Sequence, residues 1–276
     1  MLGNIQIGGD APISIQSMLN VKTANVQAAR EQMKRLISAG CEIIRFSVMD
    51  MDDALAIPEL KRGMNTALVA DIHFDYRLAL AAIENGIDGL RINPGNIGSR
   101  KGVESLSDAA KAQRIPIRIG VNSGSLPKEL LARYGHGSKA MVEAALSHVK
   151  ILEDLGFYDI KISAKASSIP LMLESYRELS QRCDYPLHLG VTEAGTMLSG
   201  SIKSAIGLGI LLEEGIGDTL RVSLTDDPVQ EVYVARQILI ALGIRKGLQI
   251  VSCPTCGRTR IDLIGLAQKV EQALQE

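Results

Sequence analysis

A basic residue flanked by apolar residues recurs in six short segments of this chain. The segments are Ile44-Arg45-Phe46, Leu90-Arg91-Ile92, Ile117-Arg118-Ile119, Ile160-Lys161-Ile162, Leu187-His188-Leu189 and Leu220-Arg221-Val222. Alternate side chains of a β-strand point to opposite faces, so each basic side chain points away from its apolar neighbours. An unpaired cation inside a protein costs several kcal/mol. The repeated pattern therefore predicts a bound anion, and arginine suits phosphate because its planar fork donates two parallel hydrogen bonds.

The alternative is that these basic residues are paired with carboxylates inside the fold. Asp71 and Glu193 lie at the ends of predicted strands and could neutralise some of the arginines. Because the basic residues outnumber these two carboxylates, the pattern as a whole favours an anionic ligand.

Further polar residues lie at the ends of the predicted strands, where a parallel barrel carries its catalytic face. They are Asp71, His73, Asn122, Lys165, Glu193 and Ser223. A lone histidine is most often bonded within the fold, but His73 follows Asp71 at a strand end. We therefore expect His73 to contact the ligand or to handle protons.

The elements that position these residues alternate between short apolar runs and longer helical patterns. Strands are predicted at Ile13–Met18, Ile43–Val48, Ala67–Ile72, Gly89–Asn93, Pro116–Val121, Asp159–Ser163, Leu187–Val191 and Thr219–Leu224. Helices are predicted at Val26–Ala39, Arg77–Asn85, Lys139–Leu155, Ile169–Arg182, Ser201–Glu214 and Val229–Leu242. This alternation predicts an α/β fold, a TIM-type (β/α)8 barrel. A doubly wound open sheet is the alternative, but Leu19–Thr23, after the first strand, lacks the glycines of its phosphate turn.

The pattern changes after the eighth helix. Lys246-Gly247 indicates a linker, Leu248–Ser252 a ninth strand, and Asp262–Gln275 a final helix. A complete barrel needs no ninth strand. We therefore predict a substrate-binding barrel over residues 1–246 and the start of a second domain over residues 247–276.

Cys253 and Cys256 form a C-x-x-C pair in this tail. Such a pair is used by a redox dithiol, by half of a zinc site or by half of an iron–sulfur site. Zinc would need a second ligand pair, and Cys41, Cys183 and the histidines belong to barrel elements. The spacing alone leaves the three interpretations open.

Composition narrows the class of partner. The formal net charge of −1 provides no general attraction to nucleic acid or to an anionic membrane, and an aromatic content of 3% without Trp argues against a base-stacking surface. No apolar run is long enough to cross a bilayer, and Met1–Asp10 lacks the features of a signal peptide. We therefore expect a cytoplasmic protein with a small-molecule ligand.

Seven runs of the sequence match one family pattern. They are Pro12–Met18, Ala70–Phe74, Arg91–Gly98, Arg118–Leu126, His188–Gly195, Gly215–Leu224 and Cys253–Arg258. With them the chain resembles the 4-hydroxy-3-methylbut-2-enyl diphosphate synthase family over nearly its whole length.

The resemblance implies an iron–sulfur oxidoreductase of the non-mevalonate isoprenoid pathway. Such enzymes reductively open 2-C-methyl-D-erythritol 2,4-cyclodiphosphate and remove water, with two electrons from reduced ferredoxin or flavodoxin. A barrel holds the cyclic diphosphate, and a smaller domain holds a [4Fe–4S] cluster on three cysteines and one glutamate. The resemblance also implies a homodimer, in which the cluster domain of one subunit caps the barrel of the other.

The resemblance suggests a role for each candidate residue. Cys253 and Cys256 match the first two cluster ligands. The expected substrate ligands are Arg45, His73, Arg91, Arg118, Lys165, Arg221 and Ser223. The expected catalytic residues are Asp71, Asn122 and Glu193, with Glu193 delivering a proton to the leaving hydroxyl.

The remaining cluster ligands of the family belong to a later segment that this sequence does not contain. We therefore expect a truncated chain that binds substrate and supplies two cluster ligands. Two other interpretations stay open: a cofactor-independent barrel that binds a pterin or another diphosphate, as dihydropteroate synthases do, and a substrate-binding fragment without activity.

Overall fold

Eight parallel strands form the centre of the chain. The computed structural model describes residues 1–93 and 95–275, so that Pro94, within the Arg91–Gly98 run, and Glu276 lie outside the described residues. The strands are β1 (Ser14–Met18), β2 (Ile43–Ser47), β3 (Ala67–Asp71), β4 (Gly89–Ile92), β5 (Ile117–Asn122), β6 (Ile160–Lys165), β7 (His188–Leu189) and β8 (Thr219–Leu220). They pair in the order β6-β5-β4-β3-β2-β1-β8-β7. A parallel bridge between Ile162 and Leu187 brings β6 beside β7 and nearly closes the barrel.

Helices cover the outside of the strands. They are α1 (Val26–Ser38), α2 (Met51–Leu55), α3 (Ile57–Lys61), α4 (Tyr76–Glu84), α5 (Arg100–Gln113), α6 (Lys128–Tyr134), α7 (Ser138–Glu153), α8 (Ile169–Arg182), α9 (Met197–Glu213), α10 (Pro228–Ala241) and α11 (Leu263–Gln275). Side chains of Asn25, Ser99 and Asp227 accept hydrogen bonds from first-turn N–H groups and so fix where α1, α5 and α10 begin. None of the described helices is long and apolar enough to cross a membrane.

The TIM-type barrel is confirmed, and the differences from prediction have local causes. The sequence analysis did not identify α5, which contains Gly102 and a weak apolar stripe. Gly102 is buried there because a Cβ would lie 2.6 Å from Cδ1 of Tyr76. The seventh and eighth strands are shorter than predicted, since only His188–Leu189 and Thr219–Leu220 pair with neighbours as strands.

The predicted ninth strand at Leu248–Ser252 is wrong. These residues form irregular backbone, and Val251 is 93% exposed. A strand needs a neighbour for its ladder of hydrogen bonds, and the nearly closed barrel offers no free edge beside the tail. The final helix is confirmed as α11 and contacts the barrel where Tyr233 donates a hydrogen bond to Glu271 at 3.4 Å.

Candidate anion-binding site

Inward-facing side chains at the carboxyl ends of the strands surround a cavity of about 530 Å³ that opens to solvent. It is lined by Arg45, Asp71, His73, Arg91, Arg118, Asn122, Ser163, Lys165, Val191, Thr192, Arg221 and Ser223. Strand alternation explains this lining: in β5, Arg118 and Asn122 face the cavity, while Ile117, Ile119 and Val121 are buried on the other face. The fold thus brings together all seven expected substrate ligands, with Asp71 and Asn122 among them.

Asp71 carries the negative charge on one side of the cavity. Its carboxylate lies 3.1 Å from Nη1 of Arg91, 3.5 Å from Nε of Arg45 and 3.5 Å from Nε2 of His73. Burial alone would raise the pKa of this carboxyl, but Arg45, His73 and Arg91 outweigh it and hold the pKa well below its usual range. Asp71 therefore stays ionised and fixes two arginines at the cavity wall.

Glu231, near the start of α10, neutralises Arg221. Nε and Nη2 of Arg221 donate to its two carboxylate oxygens at 3.1 and 3.0 Å. The hydroxyl of Ser17 and the backbone N–H of Leu224 donate to the same carboxylate at 3.0 and 3.1 Å. The sequence analysis missed Glu231 because an acidic residue in the first turn of a helix ordinarily faces solvent and offsets the helix dipole.

Arg118 and Lys165 are the cations of this cavity that no carboxylate of the described residues pairs with. Both are buried, and Nε and Nη1 of Arg118 have no hydrogen-bond partner within residues 1–93 and 95–275. Burial, followed by repulsion from neighbouring cations, lowers the pKa of both groups well below their usual values. Removing two charges from water without a counter-ion is unfavourable, so this arrangement is suited to an anionic ligand.

Two glycines make room for these cations. A Cβ on Gly120 would lie 2.7 Å from Nε of Arg91, and a Cβ on Gly190 would lie 2.6 Å from Nζ of Lys165. Any larger residue at either position would move the charged group. The cavity therefore depends on absent side chains as well as on present ones.

Glu193 stands apart from this cavity. It is exposed, it does not belong to the described lining, and no described cation lies within 4.0 Å of its carboxylate. The neutralising role considered for it is filled by Glu231. Its φ of +52° is uncommon for a residue other than glycine, and such strained residues cluster at functional sites.

His188 and Lys161 follow the same strand pattern, but neither belongs to the described lining of this cavity. His188 is fully buried, and its Nδ1 lies 2.8 Å from Oγ1 of Thr219. Burial, followed by the nearby cations, lowers the pKa of His188 well below its usual value, so the ring is neutral. Ser163 and Thr192, which the sequence analysis did not assign, do line the cavity; Ser163 lies on the same face of β6 as Lys165.

Cys253 and Cys256 are free and exposed in the tail. Hydrogen bonds from Arg258 and Thr259 lower the pKa of the Cys256 thiol. No group of three or more His, Cys, Asp or Glu residues in the described part of the chain could hold a metal ion. The two thiols by themselves therefore do not fit a complete [4Fe–4S] site, which takes four ligands.

The sequence as a whole matches known proteins. A profile of the GcpE TIM-barrel domain covers residues 1–236. The chain belongs to the GcpE family. Relatives in Clostridium perfringens and Geobacter sulfurreducens, each 60% identical over 275 residues, are named 4-hydroxy-3-methylbut-2-en-1-yl diphosphate synthase (flavodoxin). These alignments cover 99% of this GcpE chain and 79% and 78% of the two relatives.

Solved structures share the barrel of this GcpE chain at low identity. Dihydropteroate synthase of Yersinia pestis has a TM-score of 0.59 at 14% identity, over 87% of this chain and 98% of that one. A truncated 3-deoxy-D-arabino-heptulosonate 7-phosphate synthase of Thermotoga maritima has a TM-score of 0.60 at 12% identity, over 88% and 92%. Such similarity shows a common fold only. Membership of the GcpE family favours the diphosphate synthase interpretation over a pterin-binding barrel.

Proposed function

We propose that this chain binds 2-C-methyl-D-erythritol 2,4-cyclodiphosphate for its reductive conversion to (E)-4-hydroxy-3-methylbut-2-enyl diphosphate in isoprenoid biosynthesis. The observation that carries this proposal is the buried, unpaired positive charge of Arg118 and Lys165 in a GcpE-family barrel. A cyclic diphosphate carries several anionic oxygens close together. It therefore needs several fixed donors at once.

The cations of the cavity divide into two groups in this proposal. Arg45, Arg91 and Arg221 are held by Asp71 and Glu231, so they present donors in fixed directions. The two unpaired cations, Arg118 and Lys165, supply the net charge that offsets the diphosphate. His73, Asn122 and Ser223 lie in the same lining and add neutral donors. Because Asp71 stays ionised, we assign it to holding the arginines and His73 in place, a role that requires no proton transfer.

Proton delivery is the role proposed for Glu193. A hydroxyl leaves as water only if it gains a proton, and a carboxyl group is a suitable donor. Exposure of Glu193 at the rim keeps it close to solvent protons. In the active holoenzyme, Glu193→Gln should leave substrate affinity within about twofold and lower turnover by about 10² or more. Turnover close to the unmodified rate would contradict this assignment.

The reduction also needs two electrons, which the barrel residues do not provide. Cys253 and Cys256 match the first two ligands of the family cluster, and we propose that they belong to it when the remaining ligands are present. Flavodoxin, which the relatives' names include, is the proposed electron donor, with ferredoxin as the other candidate.

The domain organisation remains part of the proposal. We place the substrate barrel in residues 1–246 and the start of the cluster domain in residues 247–276. A homodimer would let the cluster domain of one subunit reach the barrel of the other. We expect this assembly in the cytoplasm.

Calorimetric titration with the cyclodiphosphate tests the barrel directly. We expect affinity in the micromolar range, and Arg118→Met should weaken it by about tenfold or more because charge-assisted hydrogen bonds are lost. Arg77→Met is the matched control, since Arg77 is exposed on α4 and pairs with Asp75. An unmodified chain that does not bind, or equal effects of the two substitutions, would overturn the proposal.

The chain could also bind this substrate without converting it. The two cysteines, which do not complete a cluster site within the described residues, favour this possibility. Anaerobic reconstitution with iron and sulfide distinguishes the two, because a four-iron cluster has a characteristic visible absorbance. Full cluster occupancy on this chain would exclude the binding-only function.

A further inference from the structure

We infer that the opposite, amino-terminal end of the barrel holds a second ligand site, which takes a small amphipathic anion. A cavity of about 700 Å³ opens there, between the starts of the strands and the first residues of the chain. This base cavity is lined mainly by apolar residues, among them Leu2, Ile7, Val69, Leu90, Ile117 and Pro186. Of the residues that line the substrate cavity, Arg118 also lines this one.

Three buried polar side chains of the base cavity lack partners. Gln16 is 1% exposed, and neither its Nε2 nor its Oε1 has a hydrogen-bond partner among the residues that the structure describes. Lys161 is 8% exposed and makes no ion pair with a described carboxylate. Arg118 contributes its unpaired guanidinium from above. Buried polar groups without partners are costly, so the site is suited to a ligand that supplies acceptors.

The charge of the base cavity selects an anion. Lys161 and Arg118 are neighbours in the register of β5 and β6, which places two cations side by side on the inner face. The carboxylate in the described lining is that of Asp159, which is exposed. Burial, with repulsion from Arg118, lowers the pKa of Lys161 to about 7, and an anionic head group beside it would restore its charge.

The apolar wall selects a ligand with a hydrocarbon body. Leu2 and Ile5 form an antiparallel bridge, and Leu2 packs with Ile43, Ala67 and Val69 across the barrel base. Gly89 leaves the space that the Leu2 side chain occupies, since a Cβ there would collide with it. The head group of the ligand therefore meets Lys161, and its apolar body lies along this wall. Carboxylate and phosphate heads share the required chemistry.

Titrations with hexyl phosphate, hexanoate and inorganic phosphate test this site and separate the two head groups. We expect hexyl phosphate or hexanoate to bind at least tenfold more tightly than inorganic phosphate. Lys161→Met should weaken that binding tenfold or more. Lys101→Met, an exposed lysine of α5, and Ser223→Ala, in the substrate cavity, should leave it within twofold.

A crystal soaked with hexyl phosphate locates the probe independently of any variant. Density beside Nζ of Lys161 supports the inference. Density confined to the substrate cavity, or equal affinity of the Lys161→Met variant and the unmodified chain, overturns it. Failure of cyclodiphosphate binding would concern the substrate cavity alone, so the two proposals fail separately.

Discussion

The ammonium group of Lys165 lies directly against Gly190, the residue after β7. A Cβ on residue 190 would come within 2.6 Å of Nζ and within 2.8 Å of the carbonyl oxygen of Arg221. The first neighbour is the end of a flexible side chain, but the second is backbone. An added methyl group must therefore displace both the lysine and the strand that carries Arg221.

Gly190→Ala should weaken cyclodiphosphate binding by about tenfold, because it moves a cation that has no other partner. Calorimetric titration measures the change. Gly209→Ala, on α9, is the control, since nothing lies within 4 Å of a Cβ there. Unchanged affinity in Gly190→Ala would show that the position of Lys165 does not matter for binding.

Binding should take up a proton through Lys165. Burial lowers the pKa of this lysine in the free protein, and a bound diphosphate raises it again. Between these two pKa values the complex holds one proton more than the free protein, so affinity decreases as pH rises through that window. Titrations in buffers of different ionisation enthalpy count the protons. Lys165→Met should remove this uptake and Lys101→Met should retain it; equal uptake in both variants would contradict the prediction.

Arg118→Met should stabilise the ligand-free chain even as it weakens substrate binding. The substitution removes a buried charge without a partner and keeps an apolar side chain of similar length, which should raise the free energy of unfolding by about 2 kcal/mol. Urea unfolding measures it. Arg91→Met makes the matched comparison, because it breaks the 3.1 Å ion pair with Asp71 and should destabilise the fold. A loss of stability in both variants would mean that Arg118 is already compensated.

Glu231→Gln should destabilise the chain by about 3–5 kcal/mol, because it leaves Arg221 buried without its counter-ion. Thermal and urea unfolding report the loss. Glu214→Gln removes one partner of an exposed pair with Arg177 and should leave stability unchanged. Equal stability of the two variants would show that Arg221 draws its compensation from elsewhere.

Periodicity predicted the elements well where a helix or strand has one apolar face. The bounds of α8 at Ile169–Arg182 match the prediction, because its apolar residues repeat at helical spacing between a proline and the helix end. Prediction was wrong at Leu248–Ser252, because an apolar run becomes a strand only if a neighbouring strand is available. It also missed α5, where packing of Gly102 against Tyr76 replaces a strong apolar stripe.

The sequence by itself determined the barrel, the inward direction of the basic residues and the family. Alternation and motif spacing are local properties, and they need no knowledge of distant neighbours. Tertiary structure alone decided which cations are neutralised. Ser17 and Arg221 meet at Glu231 across 214 and 10 residues of sequence, and Arg45 and Arg91 share Asp71 from neighbouring strands. Charge compensation depends on distance in space, so only the folded barrel distinguishes the paired arginines from Arg118 and Lys165.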